Sequence, residues 1–154
     1  MFLYLHEVTG CCWRCAGTRV TPMRCGICLR GIDAGEHVLA AVVREAREEI
    51  GIDLDESALD LAGVLHHRSP ELVGRVGLVF STPYDPARHG MPFNAEPHKC
   101  GGIDWYPSDA LPEATVPYTV ACVDLVRREA RLGVHGWGAE PVDMRGLGMG
   151  GSTS

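Results

Sequence analysis

The chain has 154 residues, 45% of them hydrophobic and 22% charged, the balance of an ordinary globular domain long enough to bury a core. Twenty acidic against 14 basic residues give a net charge of −6, which excludes broad binding to a nucleic-acid backbone but leaves small phosphorylated ligands open. No run of about 18 apolar residues marks a membrane span, and "MFLYLHE" reaches charge too early to be a secretory signal, so a cytoplasmic protein is expected. An odd count of seven cysteines argues against a disulfide framework.

In chain order, "MFLYLHE" reads as a strand, rich in aromatic and aliphatic residues. Residues 11–31, "CCWRCAGTRVTPMRCGICLRG", hold five cysteines and four arginines without one acid. From Glu36 to about Glu49, Leu39, Val42, Val43, Ala46 and Ile50 recur at helical spacing, and Gly51 supplies a stop. "LDLAGVLHHRS" and "VGRVGLVFSTPYD" read as paired strands, and "PARHGMPFNAEPHKCGG" as a loop. "IDWYP" is a short strand, "SDALPEATVP" a connection and "YTVACVDLVRREARL" a second amphipathic helix. From Gly133 onward, glycine-rich "HGWGAEPVDMRGLGMGGSTS" reads as a frayed tail. Interleaved strands and helices imply an α/β or α+β sandwich. One domain over 1–137 with a flexible tail over 138–154 is expected.

The helix carries the chemistry. At 100° per residue, Glu45, Glu48 and Glu49 fall within about 100° of one another, and the apolar set is centred about 110° away. Such a helix buries one side and lines a flank with carboxylates that repel one another. Arg44 relieves part of this through Glu48, four residues on. A divalent cation relieves more, because hard oxygen ligands suit Mg²⁺ or Mn²⁺. A merely solvated face is the plainer reading, and the spacing of the whole segment counts against it.

"EHVLAAVVREAREEIGI" resembles the core of the Nudix hydrolase box, G-x5-E-x7-R-E-U-x-E-E-x-G-U, where U is a bulky aliphatic residue. Glu36 is the first glutamate, Arg44 and Glu45 follow after seven residues, and Glu48, Glu49, Gly51 and Ile52 complete the pattern. Ala46 stands at the first U and is smaller than usual there. "EPHKCGGIDWYPSDALP", "HHRSPE" and "VPYTVAC" also resemble Nudix segments, so that the likeness runs over about residues 36–137. It implies an α/β/α sandwich around a mixed sheet, and Mg²⁺-dependent hydrolysis of a nucleoside diphosphate linked to another moiety. By that resemblance Glu45, Glu48 and Glu49 hold the metal, Arg44 fixes the glutamates, and Glu36 supports the site. Glu96 is a weaker candidate for metal ligand or base; Arg68, with His66 and His67, is a weak candidate for lining the substrate pocket, and strand-end residues without that role are the favoured reading of these three. Trp105 reads as core. The expected partner is a small nucleotide, with no nucleic acid and no membrane; a homodimer is left open.

The start of the box departs from the family. Arg30 stands where its glycine belongs, and Gly31 is one residue too close to Glu36. Cys12-x2-Cys15 and Cys25-x2-Cys28 have zinc spacing, which would fit an NADH-type dinucleotide pyrophosphatase bearing a zinc ribbon. Yet only seven residues separate Cys28 from Glu36, too few for the missing strand and loop. The favoured reading is that residues 11–32 are translated out of frame. Shifted codons permit "VLLALR…GYADALWHLPSGH", a string similar to the strand and loop that precede a Nudix box. On that reading the chain as written lacks a strand and the phosphate-cradling loop, and its activity is in doubt. A catalytically silent nucleotide-binding protein is the alternative from another class.

Overall fold

The computed structural model describes residues 2–6, 11–16, 24–25, 27–28, 32–68, 74–98 and 102–138. The start of the box at Arg30 and Gly31 lies outside these residues, as does the tail from 139 onward. Among the described residues, eight strands, β1 (Phe2–His6), β2 (Cys11–Ala16), β3 (Arg24–Cys25), β4 (Ile27–Cys28), β5 (Asp60–Arg68), β6 (Gly74–Pro83), β7 (Gly102–Pro107) and β8 (Leu132–His135), form two sheets. The helices among the described residues are α1 (Val38–Ile50), the single turn α2 (Pro86–His89) and α3 (Pro117–Arg127), with a 3-10 turn at Glu56–Ala58.

The larger sheet has five strands in the order β4-β1-β6-β5-β8. It is mixed: β1 runs parallel to β6 and β5 parallel to β8, whereas β5–β6 and β1–β4 are antiparallel. The smaller sheet has the order β3-β2-β7. Alternation along β6 decides which helix covers which face, since successive side chains point to opposite sides of a strand. Leu78 and Phe80 pack with Val42, Ala46 and Ile50 of α1, together with Leu3 and Leu5 of β1. Val79, between them, packs instead with Cys122, Val123 and Leu125 of α3, and with Leu65 of β5. One helix therefore lies on each face, which is the α/β/α arrangement of the sequence reading. Each fully buried aliphatic side chain contributes roughly 1.5–3 kcal/mol to holding these layers together.

The helix α1 starts one residue after His37, whose Nδ1 accepts from the backbone N–H of Ala40 at 3.3 Å. It ends at Gly51, in the left-handed region at φ +69°, where the glycine N–H bonds the carbonyl of Arg47 at 3.0 Å. Ala46 is fully buried, so its small side chain sits flush against the sheet.

Four expectations are corrected. The cysteine-rich stretch does contain a sheet strand, since Cys11–Ala16 forms β2 and pairs antiparallel with β7 from Cys11 opposite Pro107 to Ala16 opposite Gly102. The second helix ends at Arg127 rather than Leu132, and Gly133–His135 are not frayed, because with Leu132 they pair with β5 over Val64–His67. The loop after β6 contains the helical turn α2, which the Asp85 carboxylate caps by accepting from Ala87 N–H at 2.9 Å. As for the zinc motif, the backbone places Cys12 and Cys15 on β2 of the smaller sheet and Cys28 on β4 of the larger. The side chains of these cysteines lie outside the described part of the structure.

Candidate active site

The turn before α1 brings the first carboxylate into place. Gly35 at φ +86° lets the chain reverse, Glu36 N–H bonds the Asp33 carbonyl at 3.0 Å, and Asp33 N–H donates to Glu36 Oε2 at 3.1 Å. The Glu36 side chain is thereby aimed at Arg44, eight residues on. Arg44 Nε donates to Glu36 Oε1 and Nη2 to Oε2, both at 3.0 Å, a bidentate pair. The same guanidinium donates through Nη1 to Glu45 Oε1 at 2.9 Å and Glu48 Oε2 at 3.2 Å. Asp33 lies farther out, 3.8 Å from Nε.

Three carboxylates thus converge on one cation. These bonds hold the Glu36 carboxyl below the usual glutamate range, the Arg44 bond contributing most and the Asp33 backbone bond next. Reciprocally, Glu36 first and Glu45 second keep the Arg44 guanidinium firmly protonated. Exposure is graded across the cluster: the Glu45 side chain is 11% exposed, Glu36 15% and Glu48 55%. The cluster runs from the core edge out to solvent, and it keeps an excess of two negative charges.

A second segment is tied to the far end of the helix. Phe93 N–H bonds the Ile50 carbonyl at 3.0 Å, and Ala95 N–H bonds the Glu49 carbonyl at 3.2 Å. These tethers hold Ala95, the residue before the half-buried Glu96, at the last turn of α1. Arg68 stands apart at the end of β5, with its guanidinium 5.2 Å from the ring centroid of Trp137. Trp105 is partly buried against the α1 core, its ring 5.1 Å from that of Tyr84. A groove of about 680 Å³ lined by Leu61, Gly63, Ser81, Glu129 and Arg131 shares no residue with the carboxylate cluster.

Asp33 and the two loop tethers are the parts of the site that sequence reasoning missed. "DAGE" carries a signal for the first, since an acid and a glycine ahead of a helical glutamate form a turn. Main-chain bonds leave no such mark.

Compared with known proteins, the chain matches the family model of the NUDIX domain over residues 21–122, two thirds of its length. The chain belongs to the Nudix hydrolase family. The Nudix fold is also that of solved structures at low identity. A MutT Nudix hydrolase from Burkholderia pseudomallei superimposes with a TM-score of 0.62 at 23% identity, covering 81% of this chain and 95% of that one. A protein of Deinococcus radiodurans gives 0.55 at 22%, with 84% and 79% covered. A MutT protein of Bacillus halodurans gives 0.55 at 18%, with 87% and 86% covered. No curated protein sequence matches the chain. Nudix hydrolases are pyrophosphohydrolases that typically use Mg²⁺, so the carboxylates must be tested against that ion. The donors fit in kind, being hard carboxylate oxygens on one flank with an excess negative charge. Among the described residues no three acids, histidines or cysteines form a ready-made metal set, and Glu45 Oε1 and Glu48 Oε2 both accept from Arg44 Nη1. Among the described residues no helix is long and apolar enough to cross a membrane.

Proposed function

We propose that this Nudix chain hydrolyses a nucleoside diphosphate linked to another moiety, a nucleoside triphosphate or a derivative of one, with Mg²⁺ held by Glu45, Glu48 and Glu49. The convergence of Glu36, Glu45 and Glu48 on Arg44 carries this reading, because it packs negative charge beyond what one guanidinium neutralises. When bound, Mg²⁺ supplies charge neutralisation on the phosphates and a water acidic enough to attack near neutral pH. Glu36 and Arg44 act as a clamp that fixes the carboxylate flank. Attack forms a bond from water oxygen to phosphorus as the bridging phosphorus–oxygen bond breaks. A carboxylate of the flank, or Glu96 in its tethered loop, takes the proton. Arg68 is the candidate for contact with the rest of the substrate.

Screening a nucleotide panel for release of phosphate or pyrophosphate with Mg²⁺, beside Glu48→Gln, tests this. The expected result is Mg²⁺-dependent turnover that falls by at least ~100-fold in Glu48→Gln. Turnover unaffected by that change sinks the reading. The chain as written is expected to turn over weakly, and a version with residues 11–32 returned to the shifted frame to turn over faster.

A second reading has its own support. Arg44 holds one oxygen each of Glu45 and Glu48, which suits a catalytically silent protein that retains a nucleotide pocket. Nucleotide binding without turnover, also in the frame-corrected chain, would decide for it.

A further inference from the structure

The face of the larger sheet that carries α1 extends past the helix. Along β6 the residues of that face are Phe80, 3% exposed, then Leu78 against the α1 core, then Val76, 68% exposed, then Gly74. On β5, His66 and Arg68 share this face, opposite Val76 and Gly74. Over them lies Trp137, with its ring 4.5 Å from that of His66 at an interplanar angle of 41° and 5.2 Å from the Arg68 guanidinium carbon.

Two glycines seat this indole. Gly136 turns the chain at φ +78°, and a Cβ there would stand 2.3 Å from the Arg68 carbonyl oxygen. A Cβ on Gly74 would lie 3.2 Å from the Trp137 ring. The ring is therefore held by backbone fit, and still 39% exposed. A fixed, half-open π surface beside a guanidinium, in a chain of net charge −6, suits a flat ring attached to an anion.

We propose that Trp137, backed by His66 and Arg68, is the stacking platform for the base of a nucleotide ligand. This rests on the reading of the ligand as a nucleotide and assigns the part of it remote from the phosphates. The test is equilibrium binding of the four common nucleoside 5′-monophosphates and of ribose 5-phosphate, which has no base, to the intact chain, Trp137→Leu and Trp137→Phe. At least one monophosphate should bind ~10-fold or more tighter than ribose 5-phosphate. Trp137→Leu should abolish that difference and Trp137→Phe should keep most of it. The platform is refuted if no monophosphate binds, if ribose 5-phosphate binds equally well, or if a folded Trp137→Leu binds like the parent. Running the hydrolysis assay in parallel separates the two claims. Trp137-dependent binding without turnover, also in the frame-corrected chain, overturns the hydrolase alone, and turnover indifferent to Trp137 overturns the platform alone.

Discussion

Arg44 is the residue on which the site turns, because the planar guanidinium spends four hydrogen bonds on three carboxylates. A lysine is a point charge and cannot reproduce the bidentate hold on Glu36. Arg44→Lys is expected to lower kcat by at least ~10-fold while far-ultraviolet circular dichroism stays unchanged. The Glu36 carboxyl is held below the ordinary value of 4.5, so folding favours its ionised form. That contribution to stability is fully present above about pH 4.5 and disappears as pH falls through the lower folded-state value. Melting curves of the parent and of Glu36→Gln should therefore converge on acidification, and equal differences at pH 7 and in strong acid would contradict the clamp. Gly51 is fixed twice over, by φ +69° and by Phe93, whose ring carbon lies 2.1 Å from where a Cβ would be. Gly51→Ala should cost more than ~1 kcal/mol in urea unfolding and shift the Phe93 loop.

Among the elements, α1 was legible because it carries its own period, with Val42, Ala46 and Ile50 at helical spacing, and β5 and β6 because their apolar runs flank the turn-prone "PELVG". The strand β8 was not. It has four residues, one of them glycine, and is a strand only because Val64–His67 pairs with it. Gly133 reads as a tail residue but is a packing residue, since a Cβ there would lie 2.9 Å from Leu65 Cδ1 and 3.0 Å from Leu125 Cδ1. Gly133→Val should destabilise the chain by about 1–3 kcal/mol through overpacking, read as a lower urea midpoint with an unchanged slope. The same logic applies to the site. Glutamate spacing is written in one helix and was readable, whereas the place of Ala95 at the end of that helix depends on backbone bonds between segments some 45 residues apart in sequence. Residues 11–16 form their strand through the partner β7 rather than through a period of their own.

For the whole molecule, the two helices on opposite faces make the large sheet a shared wall: the carboxylate cluster is carried by α1 on one side, and α3 packs a second hydrophobic cluster on the other. Leu65 belongs to the α3 side and is 2% exposed. Leu65→Ala should cost about 2–5 kcal/mol of stability while KM for any nucleotide substrate stays unchanged, as measured by denaturation and steady-state kinetics. The loop that ends α1 has a wider consequence. Phe93 and Ala95 are moored by their amides to carbonyls of Ile50 and Glu49, a form of attachment that is blind to side-chain identity. Any amino acid there except proline keeps the N–H that moors the segment to the acidic helix. A scaffold of this kind can acquire a new ligand preference at one rim and keep its hydrolytic end untouched.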